Sequence, residues 1–552
     1  GGGGMIGPRR NRVWFWLSAL VLAAFCVFLL YPLFQVIASS VNASQDGRSG
    51  WVILATEPKY RSAVLNTLLL GLTVTVTSTL IGVPLAFFTA RFSFPGKVLI
   101  AMLPMTTLIV PEVIAAQTWL MVLGNNGFLT RWLGGFDIDI PSFYGWPGLV
   151  IVMTFIYYTY VYIGTLAAIR GFDGQLEEAS QSLGVPPGRT LLKVMVPVVT
   201  PAILASSILV FTLVVGNFAV AMILGHNVSL LSVLTYQSFV SEVGANPVMQ
   251  STLASVSIAI VACVLFLQRW ILSRGRFEIV QGRGTRPVGL GGARAAVMAG
   301  VAGVIVAISL LPLVTVVVGA FTRARGPVMR WGEWTTANLE RVLVGAPDPI
   351  LNTLLFAGVA LTLSLFISTL VGFLIVKKRN VLTPAIDYLG ALPLALSGTV
   401  LGIGLVMSFR GSWLPLAGTA GIIVLAYLIR RLPFGIRNAS STLYNVPDSI
   451  EDASISLGVP PLQTFFKAVL PLMVPSIAAA GVLVWTTTVA ELSASVVVYS
   501  AGQETLPIQI FRLIDSNLMA QASAYGLVLL TIILVPILIA TTMFKIDVFA
   551  SR

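Results

Sequence analysis

Three polar side chains stand inside stretches of this chain that are otherwise apolar. They are Glu112, which follows Pro111; Asn217; and Glu491, in the run Thr486–Ser495. An ionisable group inside a membrane-length apolar run is costly, so it reads first as a functional group with a partner or a solute. Carboxylate oxygens are hard ligands, suited to a hard cation. Four phenols nearby, Tyr157, Tyr158, Tyr160 and Tyr162, add further oxygens, and Tyr158 is taken with Glu112, Asn217 and Glu491 as the candidate solute pathway. The same groups suit a cationic amine or an aromatic cation held over a ring face. No Arg or Lys is read deep in a span, so a bare anion fits worse. The structural alternative is that the two acids bond neighbouring helices and the tyrosines pack.

Other chemistry finds little support. His226 is the only histidine and falls in a polar loop; Cys26 and Cys263 fall in apolar runs with no metal or disulfide spacing. No nucleophile–base pair appears, and no catalytic residue is assigned. A phosphate-cradling GxxxxGK[ST] loop is absent, since Gly96-Lys97 lacks both the earlier glycine and the following Ser or Thr.

The elements that must position these groups follow from composition. The chain is 57% hydrophobic and 10% charged, with a mean hydropathy of +0.93, against about 25% charged in soluble domains. A helix needs roughly 20 apolar residues to cross the hydrocarbon core, and only helices or closed barrels satisfy their backbone there. Long apolar runs, without the alternation of a barrel strand, predict an all-α polytopic membrane protein of about twelve spans. The first six are read near 13–39, 64–90, 98–123, 146–168, 201–224 and 251–272. The other six are read near 296–320, 351–376, 384–407, 416–432, 475–499 and 524–543. The first reads as a retained signal anchor, because its apolar stretch is long and no cleavage site follows.

The net charge is +12, but the basic residues sit beside span ends, which points to membrane topology and lipid rather than nucleic acid. Arg9, Arg10 and Arg12, Arg91 and Lys97, Arg269 to Arg286, Lys377 to Arg379, and Arg430, Arg431 and Arg437 all fall on one side if spans alternate. The positive-inside rule makes that side, and the N-terminus, cytoplasmic. The loop with Arg323, Arg325, Arg330 and Arg341 is the exception.

An internal repeat fixes the organisation. Residues 176–203, LEEASQSLGVPPGRTLLKVMVPVVTPAI, align without a gap to residues 450–477, IEDASISLGVPPLQTFFKAVLPLMVPSI, with half the positions identical. Asn66-Thr67-Leu68 and Asn352-Thr353-Leu354 anchor a second pair, and extra residues in the loop 124–144 absorb the difference in offset. Two six-span halves follow, 5–274 and 296–552, joined by a Gly/Arg-rich linker at 275–295. The offset of the long motif places Asn217 opposite Glu491. Within each copy, Glu177 and Glu178 lead a short helix and complement its dipole. Gly184 ends it, and Pro186 and Pro187 turn the chain into a new helix. The predicted product is a short crosswise helix at the cytoplasmic surface, rigid enough to serve as a joint with another protein.

Both segments resemble the cytoplasmic motif of binding-protein-dependent ABC importer permeases: EAA, three residues, Gly, nine residues, I-x-L-P. The first copy has Glu178-Ala179-Ser180, Gly184, Val194 and Val196-Pro197; the second has Asp452-Ala453-Ser454, Gly458, Ala468 and Leu470-Pro471. The resemblance implies a type I ABC importer fold in the bacterial inner membrane. It implies that Glu177, Glu178, Ala179, Ser180, Leu183 and Gly184, and Glu451, Asp452, Ala453, Ser454, Leu457 and Gly458, dock onto two ATPase subunits, identical because the motifs nearly are. ATP and Mg would be bound by those partners, no cofactor by this chain, and a periplasmic or lipid-anchored binding protein would deliver the solute. The fused form resembles the ferric-iron, thiamine and 2-aminoethylphosphonate branch, related to polyamine and sulfate systems, with ferric iron first and Glu491 its ligand in that case. A twelve-span secondary transporter has parallel halves too, but needs no proline-bracketed helix after each fourth span. A channel would show a filter or charged ring.

Overall fold

The computed structural model describes residues 8–240, 246–274, 287–289, 291–411 and 413–545. Arg276, Arg283, Arg286 and most of the expected linker lie outside the described residues.

Nine helices among the described residues are long and apolar enough to cross a membrane. In the first half they are Arg12–Asn42, Pro58–Arg91, Trp146–Arg170, Pro187–Val215 and Pro247–Arg274; in the second, Gly292–Ala320, Asp348–Lys377, Pro461–Val489 and Met519–Thr542. Twelve regular spans were expected, and the third of each half differs. Lys97–Leu108 and Glu112–Gly134 meet at 108°, and Thr383–Ala395 and Gly398–Phe409 meet at 115°. The cause is local. Pro104 and Pro393 each begin a tight 3-10 segment, and Pro111 and Leu396 are extended just before the next helix starts. Proline removes a backbone donor and clashes with the preceding turn, so a regular helix cannot pass through. The tenth expected span also differs: the helix runs Ala420–Tyr444, well beyond 432, and carries its arginines inside it.

The repeat is visible in hydrogen bonds. Thr67 Oγ1 accepts from the Leu231 amide at 2.9 Å, and Thr353 Oγ1 accepts from the Leu506 amide at 2.7 Å. Asn66 and Asn352 donate to the carbonyls of Ser229 and of Gly502 and Glu504. The two Asn-Thr pairs therefore tie each second span to the segment that follows each fifth span.

Each half sends its first helix across to the other. Residues 12–42 lie against Gly398–Phe409, where Gly404 lets the Pro32 carbonyl approach, and Trp14 packs on Phe373 with ring centroids 5.1 Å apart. In return, Gly292–Ala320 packs on Glu112–Leu123, and Gly319 faces Met121 of the first half. A methyl group at Gly319 would come within 2.5 Å of the flexible Met121 terminal methyl and 2.7 Å of Ser523 Oγ, so the small residue eases this packing.

Candidate functional site: a central polar cavity and two surface helices

The surface helices are Gly174–Ser182 and Asp448–Ser456. Each ends at a glycine in the left-handed region, Gly184 at φ +79° and Gly458 at φ +85°, with open space where a side chain would project. Backbone conformation, not room, therefore requires glycine there. Ser180 and Thr190 share a 3.0 Å hydroxyl hydrogen bond, and Ser454 and Thr464 share another of 3.0 Å. The serine that replaces the second alanine of the motif thus ties the short helix to the next one in both copies. Pro187 and Pro461 start that next helix, which enters the fifth span of its half through a wide π turn at Leu191–Met195 or Phe465–Val469.

Of the motif residues expected to face a partner, Glu178, Ala179, Asp452 and Ala453 are exposed, and Leu183 and Leu457 are each 85% exposed. Glu177 and Glu451 are placed differently. Glu177 forms an ion pair with Arg91 at the end of Pro58–Arg91, and Glu451 pairs with Lys378 at 2.5 Å, just beyond Asp348–Lys377. Beside it Lys377 reaches Asp448 at 2.6 Å. These acids therefore bolt the short helix to the second span of its own half.

The central cavity holds about 180 Å³ and is lined from both halves, by Glu112, Tyr157 and Tyr160 from the first and Arg430, Arg431 and Glu491 from the second. In the first half, the Tyr157 hydroxyl donates to Glu112 Oε1 at 2.6 Å, and Asn217 Nδ2 donates to Glu112 Oε2 at 2.9 Å. Asn217 Oδ1 accepts from the Val220 amide at 3.0 Å. In the second half, Glu491 Oε2 accepts from Arg430 Nε at 3.0 Å and from Arg431 Nη2 at 2.8 Å. Its Oε1 accepts from Ser493 Oγ at 2.7 Å and from the Ala494 amide at 3.2 Å.

The sequence offset that pairs Asn217 with Glu491 also pairs Val220 with Ala494, so both side chains cap the same short segment at the end of a fifth span. It pairs Ile156 and Tyr157 with Arg430 and Arg431. The offset of the Asn-Thr anchors pairs Glu112 with Gly398, where an added methyl would meet Ser493 Oγ at 1.9 Å. The fold repeats while the chemistry on it does not.

Three expectations need correction. Arg430 and Arg431 are not in a cytoplasmic loop: the helix continues past them, and Arg431 is only 8% exposed. The premise that no cation lies deep in a span falls with that, and so does the argument it carried against anions. Tyr158 does not line the cavity; its hydroxyl lies 2.6 Å from Ser309 Oγ of the crossing helix, and its role is packing. Tyr157, its neighbour, is the phenol that meets the acid. Glu491 has both oxygens engaged, and so has Glu112, so in this conformation neither offers an open site to a metal. The repeat offset was the signal that would have found the arginines, because it aligns them with residues in the middle of the fourth span.

Residues 82–276 and 364–549 each match the family described as binding-protein-dependent transport system inner membrane component. A probable ABC transporter permease protein, y4fN, of Sinorhizobium fredii is 27% identical over 95% of this chain and 95% of its own length. The ferric transport system permease protein FbpB of Actinobacillus pleuropneumoniae is 24% identical, over 95% of this chain and 77% of its own. The sulfate transport system permease protein CysT of Escherichia coli is 27% identical over 49% of this chain and 96% of its own length.

Proposed function

We propose that this chain, which belongs to the family of binding-protein-dependent transport system inner membrane components, carries ferric iron into the cell. Family membership makes it the multi-pass permease of an ABC importer, working with ATPase subunits and a substrate-binding protein. The iron reading rests on likeness to a ferric transport permease along nearly the whole chain. The oxygen groups at the cavity, Glu112, Tyr157 and Tyr160, are of the type that suits a hard trivalent cation, and Glu112 would have to exchange its bonds to Tyr157 and Asn217 for the metal.

In this reading the helices Gly174–Ser182 and Asp448–Ser456 dock into two identical ATPase subunits, which hold ATP and Mg. Their outward residues, Leu183 and Leu457 foremost, meet the ATPase, while Glu177 and Glu451 pass its movement to the second spans. Closure of the ATPases then draws the halves between outward-open and inward-open states. The N-terminus and both docking helices are cytoplasmic, and the binding protein engages the opposite end of the bundle.

The test is substrate-stimulated ATP hydrolysis in the reconstituted complex. The matching binding protein is offered with ferric iron, thiamine, aminoethylphosphonate or spermidine. Stimulation by ferric iron alone is expected. Stimulation by another of these ligands, and not by iron, overturns the substrate, and transport by a preparation without any ATPase overturns the importer mechanism.

A further inference from the structure

We infer that the central cavity recognises an oxyanion on its solute, held by Arg430 and Arg431, with Glu491 as the built-in stand-in for that anion. This rests on the iron reading for the identity of the solute, which would then cross as a metal–oxyanion complex, but the arginine geometry itself does not depend on iron.

Three observations carry it. The first is cost. Two adjacent guanidiniums, Arg431 buried and Arg430 partly so, converge on a single carboxylate oxygen, Glu491 Oε2. A buried ion pair returns little net stability, because desolvation offsets the attraction, and two like charges on one oxygen return less. The second is surplus. Each guanidinium presents five donors. Arg430 uses Nε on Glu491 and Nη1 on the Leu396 carbonyl, and Arg431 uses Nη2 alone, on Glu491 and on the Thr487 carbonyl. The Nε of Arg431 is buried without a hydrogen-bond partner, in a side chain nine-tenths buried that lines the cavity. Such donor forks match the paired oxygens of phosphate and carboxylate. The third is the internal control. The first half builds the same helix and the same cap with Ile156 and Tyr157 at these positions, so the fold has no need of the arginines.

The first half contributes a carboxylate and phenols to the same cavity, which Glu112 lines together with Arg430 and Glu491. A bare trivalent cation would meet two guanidiniums there. A cation already bearing an oxyanion presents its metal to Glu112, Tyr157 and Tyr160 and its anion to Arg430 and Arg431. One of the arginines then exchanges its contact with Glu491 for the incoming anion, and no bond is made or broken covalently.

The test uses the whole complex in proteoliposomes with binding protein loaded with ⁵⁵Fe, in one arm with ³²P-phosphate and in the other with ¹⁴C-citrate. Labelled anion entering in fixed ratio to iron is expected, and the arm that shows it names the source. In Arg431→Gln both labels fall together by roughly 30-fold or more, as when one partner of a buried charge pair is removed, and Arg431→Lys, which keeps the charge and loses the fork, falls between. Co-purification of the ATPase separates a folded variant from a misfolded one. Iron entering with neither anion overturns the inference and leaves the iron reading standing. Anion entering without iron overturns the iron reading and leaves the inference standing. Uptake of both labels unaltered in a folded Arg431→Gln complex overturns the role of the arginines.

Discussion

The two halves share a backbone plan and part company at the cavity. At the docking surface they are nearly the same object: two short helices, two left-handed glycines, two 3.0 Å serine–threonine hydrogen bonds and two leucines 85% exposed. At the cavity the first half offers an acid held by neutral donors, Tyr157 and Asn217, and the second an acid held by two cations. In the proposed reading the surface meets two copies of one partner and is held to one shape. A pathway that meets one asymmetric solute is free to specialise each wall. Fusion into one chain gives each wall its own codons, which two copies of a single half would not have.

The sharpest way to break this comparison is to remove the two pseudo-equivalent capping side chains in turn. Glu491→Leu leaves the buried Arg431 guanidinium and its partly exposed neighbour Arg430 without their counter-charge and should cost about 3–5 kcal/mol, read as a large drop in melting temperature of the detergent-purified complex. Asn217→Leu, at the same place in the other half, removes a neutral amide and should cost about 1–3 kcal/mol. Equal losses would mean that the two caps are equivalent and the charge incidental. Next is Gly398→Ala, which drives a methyl into Ser493 and should cost about 1–3 kcal/mol by overpacking. Little or no cost would show that Gly398 is not what keeps an acid out of that corner. Tyr157→Phe deletes one hydrogen bond to Glu112 and should cost about 1 kcal/mol. The smallest effect on stability belongs to Leu183→Ala and Leu457→Ala, expected within about 0.5 kcal/mol of the parent as exposed sites. Both should lower the yield of co-purified ATPase, and to the same degree. A marked difference between them would sink the expectation of identical ATPases.

What the sequence made legible follows from what each feature depends on. The docking helices depend on local rules, a capping glycine, paired prolines and acids in a first turn, and two copies of those rules leave a pattern that one sequence displays. The pairing of Asn217 with Glu491 was legible for the same reason. The broken third spans were not read, although Pro104, Pro111 and Pro393 mark them, because their flanks are apolar enough to run together as one span. Arg430 and Arg431 were misplaced because the last turns of Ala420–Tyr444 are polar, and a charged pair next to a polar run looks like the end of a span. Their counter-charge is Glu491, about sixty positions further along the chain, and no local pattern announces a partner at that distance.

The π turns at Leu191–Met195 and Phe465–Val469 lie between each docking helix and the span that bears Asn217 or Glu491. A π turn holds one residue more than an α turn, and such bulges recur at functional sites. In the language of crystals it is a dislocation: a fault that can glide along a row one step at a time while the row on either side stays intact. Each step of glide advances the residues it passes by about 1.5 Å and 100° about the helix axis without breaking the helix elsewhere. Each half of this permease therefore carries, in the same place, a fault; if the short helix docks as proposed, a push on it would reach the cavity as a twist.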